Sequence, residues 1–157
     1  MTQAESLADQ IEKSIIGPAW YGLSLMEAIS DVTAEEASFR LDEGSHSIWQ
    51  QVWHLNNWIG VCHSRLNGNE TPWLPEEQDW PPTRAFSEED WKKAKVTVFA
   101  SHKEFVAAAR KVPDSKLNEQ VPGKDYSVGF MLQGITQHVA YHTGQIVLLK
   151  KHLQRIA

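Results

Sequence analysis

The sequence predicts an all-α protein, a bundle of four helical segments, on three observations. Apolar residues recur with helical periodicity in four stretches. Connections containing Pro and Gly separate those stretches, and no internal repeat, low-complexity tract or linker divides the 157 residues. A chain of this length suits one domain spanning residues 1–157, large enough to bury a core without disulfides.

The first segment runs from about Ala4 to Ile16, with Leu7, Ile11, Ile15 and Ile16 on one side. Gly17-Pro18 breaks it, because proline lacks the amide donor and restricts its predecessor. Helix is expected to resume over Leu23 to Ile29, and Thr33-Ala34-Glu35-Glu36 has the form of a capping box for a short connecting helix. A first helix broken in this way is expected to shape a pocket.

The second segment begins near Ser45 or Ser47, either one a suitable N-cap. It places Ile48, Val52, Leu55, Ile59, Cys62 and Leu66 on one stripe and ends at Asn67-Gly68. Residues 69–86 hold four prolines and several acids and read as a long surface excursion, expected to cover part of a pocket mouth. The third segment opens on Ser87-Glu88-Glu89-Asp90, carries Trp91, Val98, Phe99, Phe105 and Val106, and closes before Pro113. In the fourth, capped by Ser127, the core-facing stripe is Met131, Ile135, His138, His142, Ile146, Leu149 and Leu153.

Composition narrows the functional classes. Hydrophobic residues at 41% and charged residues at 22% are near the globular average, which points away from disorder. The formal charge of −5 and scattered Lys and Arg offer little to a phosphate backbone, so no nucleic-acid partner is expected. No run approaches the length of a spanning helix and Met1 to Lys13 lacks an apolar core, so no membrane partner and a cytoplasmic location are expected. The single cysteine, Cys62, falls in an apolar-periodic stretch and reads as a buried structural thiol. Seven tryptophans, several beside proline as in Pro72-Trp73 and Trp80-Pro81, are expected to brace loops.

Two histidines on the apolar stripe of one helix demand an explanation, since a buried imidazole must stay neutral and hydrogen-bonded or suffer desolvation. His138 and His142 are four residues apart, so both rings lie on one helix face and can converge on one ion. His54, mid-helix beside Val52 and Leu55, is the candidate third metal ligand, able to point inward across an antiparallel bundle. Three neutral imidazoles suit a divalent transition metal, zinc or nickel first, with iron, copper or manganese as the alternatives. Three protein nitrogens leave a position for water or substrate. His46, at a helix start, His63, more than two turns beyond His54, and His102 and His152, among charged or polar neighbours, are left out. Tyr141, Gln145 and Trp58 lie within a turn of the ligands, yet no spacing compels a general base, and helix packing accounts for each. No helix supplies the Glu-x-x-His pairs of a di-iron bundle, and no Cys-x-x-Cys or Gly-rich phosphate loop occurs, which leaves a mononuclear site.

These residues resemble a known family. Gly44-Ser45-His46-Ser47-Ile48-Trp49 leading to Trp53-His54-Leu55, and the run Gln137 to Ile146 around His138 and His142, are similar to the DinB-like (DinB/YfiT) superfamily, whose members are read as metalloenzymes. Gly17-Pro18-Ala19-Trp20-Tyr21-Gly22 and Arg65-Leu66-Asn67-Gly68 add to the likeness, which spans nearly the whole chain. The resemblance implies an up-down-down-up four-helix bundle, a triad of one histidine on the second helix and two on the fourth, falling on His54, His138 and His142, and a homodimer. Some relatives are thiol-dependent S-transferases or isomerases that use low-molecular-weight thiols, the metal stabilising a thiolate.

Three readings follow. One is a mononuclear metal-dependent enzyme, an S-transferase or hydrolase acting on a small-molecule substrate with or without a low-molecular-weight thiol. Another is a non-enzymatic, stress-related bundle in which the metal braces helices two and four while dimerisation or the long loop mediates interactions. The third, a haem bundle with two ligating histidines, is weakened by the lack of Cys-x-x-Cys-His.

Overall fold

The computed structural model describes residues 1–82 and 86–156 and is all-α, with no strand among the described residues. The helices are α1 (Gln3–Ile16), α2 (Leu25–Ile29), α3 (Ala34–Ser38), α4 (Ile48–Leu66), α5 (Glu76–Asp79), α6 (Glu88–Ala109) and α7 (Val128–Ile156), with a 3-10 turn over Asp114–Asn118 before α7.

Local chemistry sets most helix starts. Thr2, Ser24, Thr33, Ser47 and Ser87 each accept from the amide three residues on, whose own side chain returns the bond to the cap. Ser47, not Ser45, is the cap of α4; the Ser45 hydroxyl instead serves the turn at Asp42. Asp114 extends the same logic across the chain, its two carboxylate oxygens each accepting at 2.9 Å from the free amides of Gln3 and Ala4 at the start of α1. α4 stops where Gly68 takes φ +87°, a left-handed conformation that glycine adopts without a Cβ penalty.

The four long helices bury their apolar faces on one another: α1 lies against α6 and α7, and α4 lies against the same two. Ile11 and Ile15, Leu55 and Ile59, Val98 and Phe105, and Leu132, Val139 and Ile146 supply the centre of the core, all nearly or fully buried. α2 and α3 fill the ground between α1 and α4, where the fully buried Trp91 of α6 reaches across to donate its indole N–H to the Val32 carbonyl at 2.6 Å. Cys62 is buried as an ordinary apolar side chain, as its place on the stripe predicts.

The excursion after α4 is not a free loop. Residues 83–85 lie outside the described residues; over the rest, Gln50, Asn57 and Trp58 of α4 reach out to hydrogen-bond Pro81 O, Gln78 O and Asp79 Oδ1. At its far end Phe86 stacks on Trp49 with ring centres 4.0 Å apart. The tryptophans divide in role. Trp58 and Trp80 fasten the excursion to α4 as expected, whereas Trp20 braces nothing: the Ala19–Gly22 bridge puts it at the tip of a tight turn, fully exposed. The break after α1 does shape a pocket, lined by Ser14, Pro18, Tyr21 and Thr136.

Replacing Trp91 by Phe removes the partner of a buried carbonyl and leaves a void. The expected loss is about 2–4 kcal/mol of unfolding free energy in urea with helicity retained; an unchanged midpoint would show that the Trp91–Val32 link does not tie α6 to the α2–α3 region.

Candidate metal centre

His54 comes from the middle of α4 and His138 and His142 from successive turns of α7, and the packing of α4 on α7 brings the three imidazoles together. Their ring centres are 4.9, 4.7 and 4.7 Å apart, nearly an equilateral triangle, with the planes steeply inclined to one another. Each offers one nitrogen such that all three atoms lie within 4.8 Å of one another. Two nitrogens each bound at about 2.1 Å to a common ion stand roughly 3.0–3.4 Å apart. The 2.9 Å between His54 Nε2 and His138 Nε2 is close to that spacing.

The outer nitrogens of His142 and His54 have partners that aim the inner ones. Gln51 Oε1, on a side chain 2% exposed, lies 3.3 Å from His142 Nδ1; an amide oxygen only accepts, so that nitrogen carries the proton and Nε2 is a bare lone pair. His54 Nδ1 lies 2.6 Å from Asp79 Oδ1, and the same oxygen accepts from Trp58 Nε1 at 2.7 Å. A carboxylate on the far nitrogen of a ligating histidine sets its tautomer and raises its basicity.

Trp80, the residue after that aspartate, lies flat between two imidazoles, 3.9 Å from His54 and 3.5 Å from His46, each pair within 6° of parallel. The excursion therefore roofs the triad from one side, as its proline content and length led one to expect of a cover.

Burial holds these histidines neutral. His138 is pushed down to about 4 by desolvation and then by the neighbouring His54 and His102. His142 is pushed to about 3 by desolvation and then by His138 and His54. His54 is also lowered by burial, with the Asp79 carboxylate opposing the shift. Three unprotonated imidazoles at neutral pH, two of them with the outer nitrogen occupied, form a donor set that fits a divalent transition metal.

Of the three, only His138 is not fully buried. It forms one wall of a cavity of about 300 Å³ whose other walls include Trp58, Arg65, Trp73, Phe130 and Cys62. Burial raises the Cys62 thiol to about 11, so it stays protonated and is no nucleophile at neutral pH.

The other histidines divide by packing. His46 backs Trp80, His63 meets Phe105, and His152 stacks on Phe39. His102 departs from the sequence reading, which set it among polar neighbours: it is fully buried on the stripe of α6 that carries Val98 and Phe105. Its Nδ1 donates to the Val98 carbonyl at 2.7 Å, while its Nε2 is buried with no partner among the described residues. Tyr141 is largely exposed and meets His142 edge-on. Asp79, Trp80 and Gln51 are site residues that sequence reasoning missed. Gln51 sits three residues before His54 on the same face, a signal of the usual helical kind, whereas nothing local marks Asp79 or Trp80.

The profile of the DinB superfamily matches residues 24–146, a span that includes all three histidines. No curated protein and no solved structure matches the chain.

His102 generates an acid-sensitivity prediction. Its folded pKa of about 4 lies below the unfolded value of 6.5, so on acidification the unfolded chain takes up the proton first. The stabilisation is whole above pH 6.5 and drains away as pH falls toward 4, on the order of 3 kcal/mol in all. Urea unfolding of metal-free protein should therefore show a shallower loss between pH 7 and pH 4 in His102→Leu than in the wild type; identical slopes would refute it.

Proposed function

The chain belongs to the DinB superfamily, and we propose that it holds one divalent transition metal, zinc or nickel before iron, copper or manganese, on His54, His138 and His142. The observation that carries this reading is the convergence of three neutral imidazole nitrogens, with His54 Nε2 and His138 Nε2 2.9 Å apart. In this proposal the four long helices form one domain, an up-down-down-up four-helix bundle, acting as a homodimer in the cytoplasm.

The same reading makes the protein an enzyme acting on a small molecule, an S-transferase or hydrolase. An ion held by three nitrogens supplies Lewis acidity and lowers the pKa of a thiol or water bound at its remaining position. The chain's own residues divide the remaining tasks. Asp79 and Gln51 orient His54 and His142, Trp80 keeps water from one side of the triad, and His138 presents the site to the cavity. Since Cys62 stays protonated, the thiol in the transferase version is a low-molecular-weight one brought from outside.

Metal analysis of tag-free protein should find about one ion per chain in the wild type and none in a His54, His138, His142 triple-alanine variant; metal retained by that variant would refute the site. His54→Ala alone should lose the metal and keep the fold, whereas collapse of the helices would favour a non-enzymatic brace between α4 and α7. Asp79→Ala should weaken metal affinity about 10–100-fold without changing stoichiometry, measured by competition with a chromophoric chelator.

A further inference from the structure

Beside the triad the structure holds a buried positive charge that no carboxylate among the described residues pairs with. Arg65, near the end of α4, carries it and is 2% exposed. Its Nε and Nη2 donate to the Thr71 carbonyl at 3.1 and 2.9 Å, Nη2 donates to the Pro72 carbonyl at 3.3 Å, and Nη1 donates to the Tyr126 hydroxyl at 2.8 Å. These are neutral acceptors. A guanidinium has five N–H donors, so one hydrogen of Nη1 remains after these bonds. The indole faces of Trp73 and Trp58, at 5.1 and 5.9 Å from the guanidinium carbon, add cation–π attraction and no charge.

Buried charges in proteins are ordinarily paired, because desolvation of an isolated ion is costly. The cavity that Arg65 lines is otherwise apolar and aromatic, walled by Trp58, Trp73 and Phe130, and runs to His138. Its volume, about 300 Å³, is at the small end for ligand pockets. Trp58 joins the two ends: one face lines the cavity, and its N–H holds Asp79, which sits on His54.

We propose that this cavity is the substrate pocket and selects a small carboxylic acid with an aromatic or alkyl body, its carboxylate seated on Arg65 and its body between Trp58, Trp73 and Phe130. That the occupant is a substrate rests on the metal-enzyme reading above; that the cavity selects an apolar anion rests on Arg65 and the cavity walls alone. The carboxylate completes a buried charge pair, the aromatic walls take the body, and the opposite end of the molecule meets the His138 edge of the triad.

The test uses 3-phenylpropionate, its neutral analogue 3-phenylpropanamide and the cation 3-phenylpropylamine as probes, titrated calorimetrically into the full chain stripped of metal with EDTA, so that a carboxylate–metal bond cannot contribute. The acid should bind about tenfold or more tighter than the amide, as expected of a charge-assisted pair, and the amine not measurably. Arg65→Met should bring the acid-to-amide ratio to about one, and Arg65→Lys should restore part of it. Arg65 also anchors the Thr71–Pro72 turn, so a second variant leaves that anchor alone. A Cβ at Gly134, another wall residue, meets nothing within 4 Å, and Gly134→Leu should fill the cavity and abolish binding of all three probes in a folded protein. Equal affinity for acid and amide in the wild type, a ratio unmoved by Arg65→Met, or no binding of any probe would overturn the proposal. Metal content of untreated samples is measured alongside: metal bound without carboxylate preference defeats only this inference, and carboxylate preference without metal defeats the metal-enzyme reading, and with it the occupant's role as a substrate, while the cavity's selectivity for an apolar anion stands.

Discussion

Three imidazoles cannot be buried side by side without an account of every ring nitrogen, and that constraint organises much of the molecule. Taken from water, each must stay neutral, and the proximity of the others makes protonation costlier still, which is why His138 and His142 sit so far below the ordinary imidazole value. The outer nitrogens of His54 and His142 have partners, and the fold supplies them from two directions. Gln51 comes from the same helix as His54, and Asp79 comes from the excursion that follows it. With two of the outer positions taken, inner nitrogens face one another across a few ångströms, 2.9 Å between His54 Nε2 and His138 Nε2, an arrangement that is repulsive unless a proton or a cation stands between them.

The excursion between α4 and α6 is accordingly part of the site and not decoration on it. Its four prolines limit the conformations it samples, so less entropy is lost on fastening it down. Gln50, Asn57 and Trp58 do the fastening along α4, placing Asp79 and Trp80 over His54. Its first turn, Thr71-Pro72, is held by Arg65 at the other end of the same helix. One face of α4 thus contributes a histidine to the triad, anchors for the cover and a buried cation to the neighbouring cavity.

How much of this was legible in the chain varies with the range of the interaction. Helix positions follow from local chemistry: the caps at Thr33 and Ser87 and the stop at Gly68 sit where the sequence puts them, because a hydroxyl reaches the amide three residues on whatever the rest of the chain does. The choice of Ser47 over Ser45 was a matter of two residues and of a competing turn at Asp42. His138 and His142 were legible from spacing on one stripe, and His54 from the same logic on the facing helix. His102 was misjudged because its immediate neighbours are polar; the period of its own helix, set by Trp91, Val98 and Phe105, decides its burial. Trp20 goes the other way, since a large apolar ring two residues after a proline reads as a brace while the turn geometry turns it to solvent.

The sequence alone determined an all-α chain and the identity of the three clustered histidines, because periodicity, capping and spacing are properties of neighbours within about one helical turn or of a pattern that repeats along one helix, and its motifs carried the likeness to the family. Only the tertiary structure decided that Asp79 meets His54, that Trp80 lies flat between two imidazoles, and that Arg65 lines an apolar cavity with no carboxylate paired to it among the described residues. Those contacts join residues across a turn-rich connection or between helices, where the outcome depends on how whole faces pack, and no local pattern encodes which side chain arrives opposite which.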